Sequence, residues 1–239
     1  MTGVLPPVSE KPRYVADMFG RIAWRYDLMN TLMTGGQDRH WRRMVAEATV
    51  PREESVRRTR YSVLDVGTGT GKLALAIEHA SPSARVVGVD FAEPMLRAAP
   101  PGLTLAASDA LCLPFADASF DAVVSAFVVR NVADVEAAIA EQVRVLRPGG
   151  RLVVLETTPG PRGVLRLPYR LYFRSVVPLL GQLIAGDPTA YTYLPASTLA
   201  FLEPTRLAEV LSRHGLERVE IRQLTFGTVA LTSGHKRRG

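Results

Sequence analysis

The segment that decides the fold is YSVLDVGTGTGKLALAIE, residues 61–78. Its first six residues are mostly apolar and predict a strand buried on both faces, whereas the apolar spacing after the glycines predicts a helix. Gly67, Gly69 and Gly71 lie between them, where a sharp turn and the close approach of a ligand both favour residues without a side chain. This order of strand, glycine loop and helix predicts the first unit of a parallel α/β sheet.

The pattern continues outward from this segment. Short β-branched runs alternate with helical patterns over residues 61–159, which predicts five parallel strands with crossover helices. One helix has its apolar stripe at Val132, Val135, Ile139, Val143 and Leu146 and is predicted to end at RPGG, residues 147–150. A helix over residues 203–214 and strands at 216–225 and 226–234 complete a doubly wound, Rossmann-like sheet. We expect it to be mostly parallel, with an antiparallel closing strand.

Two further regions flank or interrupt this core of residues 61–239. Residues 1–60 predict two helices joined by a turn at Gly35 and Gly36, followed by a charged linker at residues 52–60. We interpret this part as a helical cap on the substrate side. Residues from about 160 to 203 predict a helical or interfacial insertion.

Acidic residues lie at the ends of three successive predicted strands: Asp65 ends the first, Asp90 ends the second, and Asp109 follows the third. The carboxyl ends of parallel strands share one edge, so the three should line one cleft. A dinucleotide pyrophosphate would be repelled there, and Lys72 stands where a dinucleotide fingerprint has its third glycine. S-adenosylmethionine has no phosphate and carries a sulfonium and an ammonium, so it fits these acids better. Alternatively, each acid is a helix cap or turn residue.

The predicted contacts follow from these positions. Asp90 would accept hydrogen bonds from the ribose hydroxyls, with Phe91 beside it, and Asp109 would accept from the adenine amine. The backbone of Ala110 would meet the ring edge. Thr70 and the amides of the glycine loop would hold the methionine end.

Several longer segments resemble the quinone-biosynthesis C-methyltransferases of the UbiE/MenG (Coq5) family. They are MFGRIAWRYDLMN at 18–30, GGQDRHWRR at 35–43, VLDVGTGTG at 63–71, RNVADVEAAIAEQVRVLRPGG at 130–150 and LTFGTVAL at 224–231. The resemblance implies a class I S-adenosylmethionine-dependent methyltransferase fold. It also implies cofactor contacts from Ser125 and a substrate side formed by Tyr26, Asp27, Asn30, Arg130 and Asn131. The chain departs from the family pattern at Lys72, at Val128 and in the segments at 156–160 and 193–197.

The implied chemistry is methylation of a ring carbon, which needs an electron-rich aromatic ring. Arg130 and Asn131 near a ring oxygen would favour the phenolate, and no metal is needed. Other roles stand beside these. Arg130 could pair with Glu136 or a helix end, Asn131 could cap the following helix, and Tyr26 and Asp27 could pack and cap the first helices. His40 and Trp41 are expected to be structural, and Cys112 to lie unreactive in the loop beside the cofactor.

Composition indicates a folded globular protein, with 47% hydrophobic and 22% charged residues. The single cysteine excludes an internal disulfide, no Cys or His cluster has zinc-site spacing, and the first residues lack a signal-peptide pattern, so a reducing cytosol is expected. The net charge of +6 suggests an anionic membrane or a nucleic acid as neighbour. The arginine-rich stretch at 161–180 suits an anionic bilayer surface, or forms a solvated helix face. Residues 175–186 are too short to span a bilayer.

The function we expect is C-methylation of demethylmenaquinol in menaquinone biosynthesis, at the inner face of the membrane. Methylation of a polyprenyl-methoxy-benzoquinol in ubiquinone biosynthesis is the alternative. An RNA methyltransferase is disfavoured because SAFVVRN, residues 125–131, replaces the NPPY-type motif of amine methylation. A non-enzymatic sensor or assembly subunit that binds S-adenosylmethionine stays open. The partners we consider are the quinol substrate, an anionic membrane and a second copy of the chain in a homodimer.

Overall fold

The computed structural model describes residues 5–50, 60–161, 163–180 and 188–238. Within these ranges the chain forms a seven-stranded sheet in the order β3-β2-β1-β4-β5-β7-β6. The strands are β1 Tyr61–Val66, β2 Ala84–Asp90, β3 Thr104–Ala107, β4 Phe120–Ala126, β5 Leu146–Thr157, β6 Leu216–Leu224 and β7 Val229–Lys236. The predicted linker at 52–60 lies outside the described residues except for Arg60.

The strand directions confirm the expected doubly wound sheet. β1 pairs in parallel with both β2 and β4, so that Leu64 lies between Val87 and Val123. β7 is antiparallel to both of its neighbours, β5 and β6. The winding direction reverses between β1 and β4, and ligands of open α/β sheets bind at the carboxyl edge beside such a reversal. The glycine loop follows β1 at this edge.

Helices cover both faces of the sheet and form the amino-terminal cap. They are α1 Lys11–Thr34, α2 Gln37–Thr49, α3 Lys72–Ala80, α4 Glu93–Arg97, α5 Val135–Val145, α6 Arg166–Leu171, α7 Val177–Leu180, α8 Pro188–Leu199 and α9 Pro204–Arg213. The predicted turn between α1 and α2 is confirmed, because Gly35 and Gly36 have φ of 57° and 79°. Such left-handed backbone is the usual reason for glycine at a helix end.

The structure corrects the predicted end of α5. The helix stops at Val145, and Leu146 with the following RPGG belongs to β5. Leu146 pairs with Phe120 across a register shift in the ladder. A side chain at Gly150 would lie 2.8 Å from the carbonyl oxygens of Arg147 and Asp121, so the glycine permits this close backbone approach. The glycine pair therefore serves a strand bulge and does not end the helix.

The sequence predicts the fourth strand over DAVVSAFVV, residues 121–129, but β4 ends earlier. It ends at Ala126, and Phe127 adopts a left-handed backbone with φ of 61°. This conformation is uncommon for a bulky residue and breaks the strand. The residues from Val128 to Asn131 consequently form a loop above the carboxyl edge of the sheet.

The insertion is helical in its described parts. A 3₁₀ turn at Gly163–Leu165, α6, a π-helical turn at Tyr172–Val176 and α7 follow one another without a break, and we call residues 163–180 the insertion helix. The cap, the insertion helix and α8 share one apolar cluster, to which Met18, Met29, Val177 and Tyr193 belong. The insertion helix also exposes apolar residues, at Val164, Leu167, Leu171, Val176 and Leu179. No helix in the described ranges combines the length and apolarity that crossing a bilayer requires.

Candidate active site

The glycine loop brings backbone and acids together at the carboxyl edge of β1. Gly67, Gly69 and Gly71 all have left-handed φ, of 70°, 58° and 76°. The N–H groups of Gly67 and Thr68 donate to the carbonyl of Val89 at 2.7 and 2.9 Å, which ties the loop to β2. The N–H of Gly69 donates to Asp90 Oδ2 at 2.8 Å. The loop and the second predicted acid therefore form one unit.

Asp65 lies fully buried beneath this loop. Thr68 Oγ1 donates to Asp65 Oδ2 at 2.7 Å, whereas Asp65 Oδ1 is buried without a partner of normal geometry among the described residues. Burial raises the pKa of Asp65 to about 7, nearby Asp90 adds to that rise, and hydrogen bonding from Thr68 and, more weakly, from the backbone N–H of Ala74 opposes it. A buried carboxylate oxygen with a free lone pair suits a cationic group of a ligand.

The other two acids border a cavity of about 110 Å³. Asp90 Oδ1 accepts from the N–H of Ala92, and Asp109 Oδ1 accepts from the N–H of Leu111, at 2.8 and 2.9 Å. These bonds resemble the turn role that was the alternative for both acids. Burial raises the pKa of Asp90. Phe91 and Ala110 line the same cavity, and Cys112 is exposed in the following loop.

Ser125 and Thr70 are the remaining predicted cofactor contacts. Ser125 is fully buried within β4, one residue before the cavity-lining Ala126, and its Oγ has no partner in the described ranges. Thr70 Oγ1 donates to the carboxylate of Asp27 at 3.0 and 3.1 Å. Lys72 Nζ lies 3.3 Å from the same carboxylate. Asp27, in α1, thereby links the cap to the glycine loop and is also the ion-pair partner of Lys72.

Arg130 is buried and paired with Glu156. Its Nη1 donates to Glu156 Oε1 at 2.5 Å and its backbone N–H donates to Oε2 at 3.2 Å. The pairing with Glu136 considered above is wrong, because Glu136 instead contacts Arg213 and His214. Arg130 Nε is buried without a partner in the described chain. A buried charge pair with one unsatisfied donor at a cavity wall is suited to a ligand oxygen.

Asn131 is held from both ends of its amide. Its Nδ2 donates to the carbonyl of Phe127 at 3.0 Å, and the hydroxyl of Tyr193 donates to its Oδ1 at 3.2 Å. The alternative of Asn131 as a helix cap is wrong, because the side chain of Asp134 accepts from the N–H of Ala137 at the start of α5. Tyr26 hydrogen-bonds with Asn30, and burial raises the pKa of Tyr26.

The second and larger cavity, of about 320 Å³, borders the glycine loop, and aromatic rings form part of its wall. Its polar lining includes Asp65, Arg130, Asp27 and Asn30. Tyr26, Gly67, Gly69, Ala126 and Phe127 line both cavities, which therefore adjoin. The aromatic wall comprises Tyr26, Trp41, Phe127, Tyr169, Tyr172 and Phe173. Such a space suits a flat aromatic ring with an apolar extension.

Sequence reasoning missed several of these residues. Glu156 stood out only as a departure from a family pattern, and Tyr169, Tyr172 and Phe173 were assigned to a surface stretch. Trp41 was expected to be structural; its Nε1 donates to Thr225 Oγ1 at 2.9 Å while the ring lines the cavity, and His40 is exposed. The Tyr and Phe spacing of YRLYF, residues 169–173, was the available signal, since it repeats at the helical period.

S-adenosylmethionine fits these residues. The unpartnered Asp65 Oδ1 supplies an acceptor for an ammonium. The described side chains nearest to where a Cβ would lie are Val128 at Gly67, Met95 at Gly69 and Leu103 at Gly71. A Cβ at Gly67 would lie 2.1 Å from Val128 Cγ2, so the Val128 side chain, a departure from the family pattern, lies directly against the loop at this position. Asp90 and Asp109 lie at the adjoining smaller cavity, as predicted for the adenosine end.

Comparison with known proteins agrees with this geometry. The model of the ubiE/COQ5 methyltransferase family matches residues 8–236. The demethylmenaquinone methyltransferase of Deinococcus radiodurans is 44% identical over 97% of this chain and 98% of its own. That of Thermus thermophilus is 46% identical over 92% of this chain and 100% of its own. The ubiquinone/menaquinone biosynthesis C-methyltransferase UbiE of Desulfotalea psychrophila is 42% identical over 96% and 93% of the respective chains.

Solved structures show the same fold at low sequence identity. A Thermotoga maritima S-adenosylmethionine-dependent methyltransferase, described as a possible histamine N-methyltransferase, is 19% identical with a TM-score of 0.67 over 92% of this chain and 99% of its own. The [4+2]-cyclase SpnF is 18% identical with the same TM-score over 94% and 96% of the chains. The family match covers nearly the whole chain, and the fold and the acidic glycine-loop site agree with it: the protein belongs to the ubiE/COQ5 methyltransferase family and is an S-adenosylmethionine-dependent methyltransferase.

Proposed function

We propose that the protein methylates a ring carbon of demethylmenaquinol to give menaquinol, in menaquinone biosynthesis. Relatives at 44% and 46% identity that carry the name demethylmenaquinone methyltransferase support this substrate. The observation that carries the proposal is the position of Arg130, a buried guanidinium on the wall of an aromatic cavity that adjoins the acidic cofactor cavity. That arrangement suits an aromatic acceptor whose oxygen becomes negative during the reaction.

The cofactor is proposed to lie across the two adjoining cavities. Asp65 would hold the ammonium, Asp90 the ribose hydroxyls, and Asp109 with Ala110 the adenine, with Phe91 against the adenosine. Gly67, Gly69, Thr70, Gly71 and Ser125 would complete its surroundings. When bound, S-adenosylmethionine supplies an electrophilic methyl group on a sulfonium.

Arg130 and Asn131 are proposed to act on the acceptor ring. Glu156 accepts from both the guanidinium Nη1 and the backbone N–H of Arg130, which leaves Arg130 Nε as a donor for a ring oxygen. Donors held in place before the reaction stabilise a developing phenolate without reorganisation. Tyr26, Asp27 and Asn30 would form the wall that places the ring over the glycine loop.

Turnover of defined acceptors tests the proposal. Purified protein is given S-adenosylmethionine labelled in the methyl group with a short-chain demethylmenaquinol, the corresponding demethyl-benzoquinol, or bulk RNA. We expect label in the naphthoquinol ring, and a loss of about 100-fold in Arg130→Gln with unchanged cofactor binding. Preferred methylation of the benzoquinol or RNA would contradict the substrate, and cofactor binding without transfer to any acceptor would favour a sensor.

We further propose that the protein contacts an anionic membrane at its inner face through the insertion helix. Val164 is 91% exposed and Leu167 67% exposed, while Arg166 and Arg170 are also exposed on α6. Apolar side chains enter the interface and arginines meet anionic headgroups in helices of this kind. The net charge of +6 adds long-range attraction. Tyr169 and Tyr172 of the same segment line the larger cavity, which would bring it near a membrane-borne quinol.

Vesicle flotation tests the membrane contact. We expect binding to vesicles with phosphatidylglycerol, weaker binding without it, and several-fold loss in Leu167→Ser. Ile221→Ser is the matched control, because Ile221 is an exposed apolar residue on β6. Equal loss in both variants would contradict a specific surface.

The homodimer stays a prediction. Light scattering of the same preparation measures the oligomeric state.

A further inference from the structure

The hydroxyl of Tyr169 is a buried polar group that forms no hydrogen bond within the described residues. The hydroxyls of two other tyrosines near the site, in contrast, both form hydrogen bonds. The hydroxyl of Tyr172 donates to the carbonyl of Met33 at 2.6 Å, and that of Tyr193 donates to Asn131. Buried hydroxyl groups in folded proteins nearly always have a partner, so an unpaired one at a cavity wall indicates a place for a ligand atom.

The ring of Tyr169 is fixed in its position. It packs over Gly160, where a Cβ would lie 2.5 Å from Tyr169 Cε1. Gly160 has φ of 111°, which also favours glycine. On another side the ring of Phe173 lies 4.5 Å away between centroids. Because backbone and an aromatic ring hold Tyr169, its hydroxyl is not free to turn toward bulk water.

The positive charge of Arg130 acts on the hydroxyl of Tyr169. Burial raises the pKa of Tyr169, and the positive charge of Arg130 partly opposes that rise. Both side chains line the larger cavity. Tyr169 therefore keeps its proton at physiological pH, and its hydroxyl is available as a donor in the electrostatic field of the guanidinium that we propose acts on the ring.

We propose that Tyr169 donates a hydrogen bond to a ring oxygen of the aromatic acceptor and so positions the ring for methyl transfer. This inference rests on the proposed function, and it gives a residue of the insertion helix a direct contact with the substrate. Substrate binding would satisfy the one polar group of α6 that the described protein leaves unpaired at the cavity. Leu167 and Leu171, on the same helix, are exposed, so the segment proposed to meet the membrane also holds the ring.

The test compares Tyr169→Phe with the matched variant Tyr172→Phe. Removing an unpaired buried hydroxyl breaks no native hydrogen bond, so Tyr169→Phe should melt at the same temperature as the unmodified protein or higher. Its kcat/KM for the short-chain demethylmenaquinol should fall about 10- to 100-fold, mainly through KM, with unchanged cofactor affinity. Tyr172→Phe loses the bond to Met33 and should melt about 2–4 °C lower, with a smaller change in kcat/KM.

The outcomes separate this inference from the proposed function. If the unmodified protein methylates no quinol, the proposed function is wrong. If it does and Tyr169→Phe has the same kcat/KM, only the role of Tyr169 is wrong. A melting temperature of Tyr169→Phe that falls as it does in Tyr172→Phe would assign a structural role to the hydroxyl and overturn the inference.

Discussion

Individual residues of the site combine burial with incomplete pairing. Asp65, Arg130 and Tyr169 each keep one polar atom without a partner in the described chain, although each is otherwise fixed by its neighbours. An unpaired buried polar group costs free energy in the absence of ligand. The site is consequently arranged for ligands that complete these bonds.

The raised pKa of Asp65 predicts a pH dependence of cofactor binding. Below its pKa of about 7 the carboxyl is protonated in the free protein, and an ammonium favours its ionised form. Binding must then displace a proton at low pH, so affinity should rise as pH increases through 7. We expect about fivefold tighter binding of S-adenosylmethionine at about pH 7.5 than at about pH 6, after the ligand's own amine is allowed for.

Asp65→Asn provides the control for this measurement by calorimetry. The variant should bind more weakly and lose the rise in affinity with pH, because the carboxyl proposed to hold the ammonium is removed. A wild-type affinity that is flat or falls between these pH values would show that Asp65 is already ionised or lies away from the ligand charge.

At the scale of secondary-structure elements, the site depends on a contact between two loops. The glycine loop after β1 meets the loop after β4, where Val128 packs against Gly67. The left-handed backbone of Phe127 turns the second loop over the first. Position 67 therefore requires glycine for two reasons. Its backbone is left-handed, and Val128 occupies the space where a side chain would lie.

A double-mutant cycle separates these two effects. Gly67→Ala should lower the unfolding free energy by about 2–4 kcal/mol, because strain at φ of 70° adds to a clash at 2.1 Å. Adding Val128→Ala should remove the contacts with Cγ2 and Cγ1, leaving the contact with Cβ at 3.0 Å and about 1 kcal/mol of backbone strain. Chemical denaturation measures each contribution.

Gly215→Ala is the matched control for this cycle. Gly215 has φ of 87°, and among the described residues other than its two chain neighbours no heavy atom lies within 4 Å of the position that a Cβ would take, so the substitution reports backbone strain alone. Its cost should be about 1 kcal/mol, and Val128→Ala should not change it. If Val128→Ala restores the unfolding free energy of Gly215→Ala as well as that of Gly67→Ala, the contact between the two loops is not the cause of the loss in Gly67→Ala.

Most elements could be predicted from the sequence, and the errors have identifiable causes. Periodicity found every strand of the sheet and the turn at Gly35, because each is recorded in local patterns. It misplaced the end of α5, since RPGG also suits a bulged strand and only the pairing of Leu146 with Phe120 decides between them. Phe127 shortened β4 through a backbone conformation that its residue type does not predict.

At the scale of the whole molecule, the cap and the core share polar contacts beside the site. Lys11 Nζ donates to the carbonyls of Arg130 and Val132 at 2.9 and 2.8 Å. Asp27 accepts from Thr70, and the hydroxyl of Tyr172 reaches Met33 in α1. The cap thus holds the loop that carries Arg130 and Asn131, although 119 residues separate Lys11 from Arg130 along the chain.

Lys11→Met tests this long-range contact. Burial and the charge of Arg130 lower the pKa of Lys11, so the folded protein disfavours the ionised amine and offsets part of the stabilisation that its two hydrogen bonds provide. Loss of both hydrogen bonds should lower the unfolding free energy by about 1–2 kcal/mol and raise KM for the quinol several-fold. Arg13→Met removes one charge from the exposed face of the same helix and should change neither. Equal effects of the two variants would indicate a general charge effect.

Local sequence patterns predict the order of the core strands and helices along the chain, the glycine loop and the acids at the strand ends. These features are local, because a strand, a turn and a helix each record their pattern within a few adjacent residues. Tertiary structure alone decided that Glu156 fixes Arg130, that Asp134 and not Asn131 caps α5, and that Tyr169 faces the site with an unpaired hydroxyl. These contacts depend on how distant segments pack and on backbone conformations that no local pattern records.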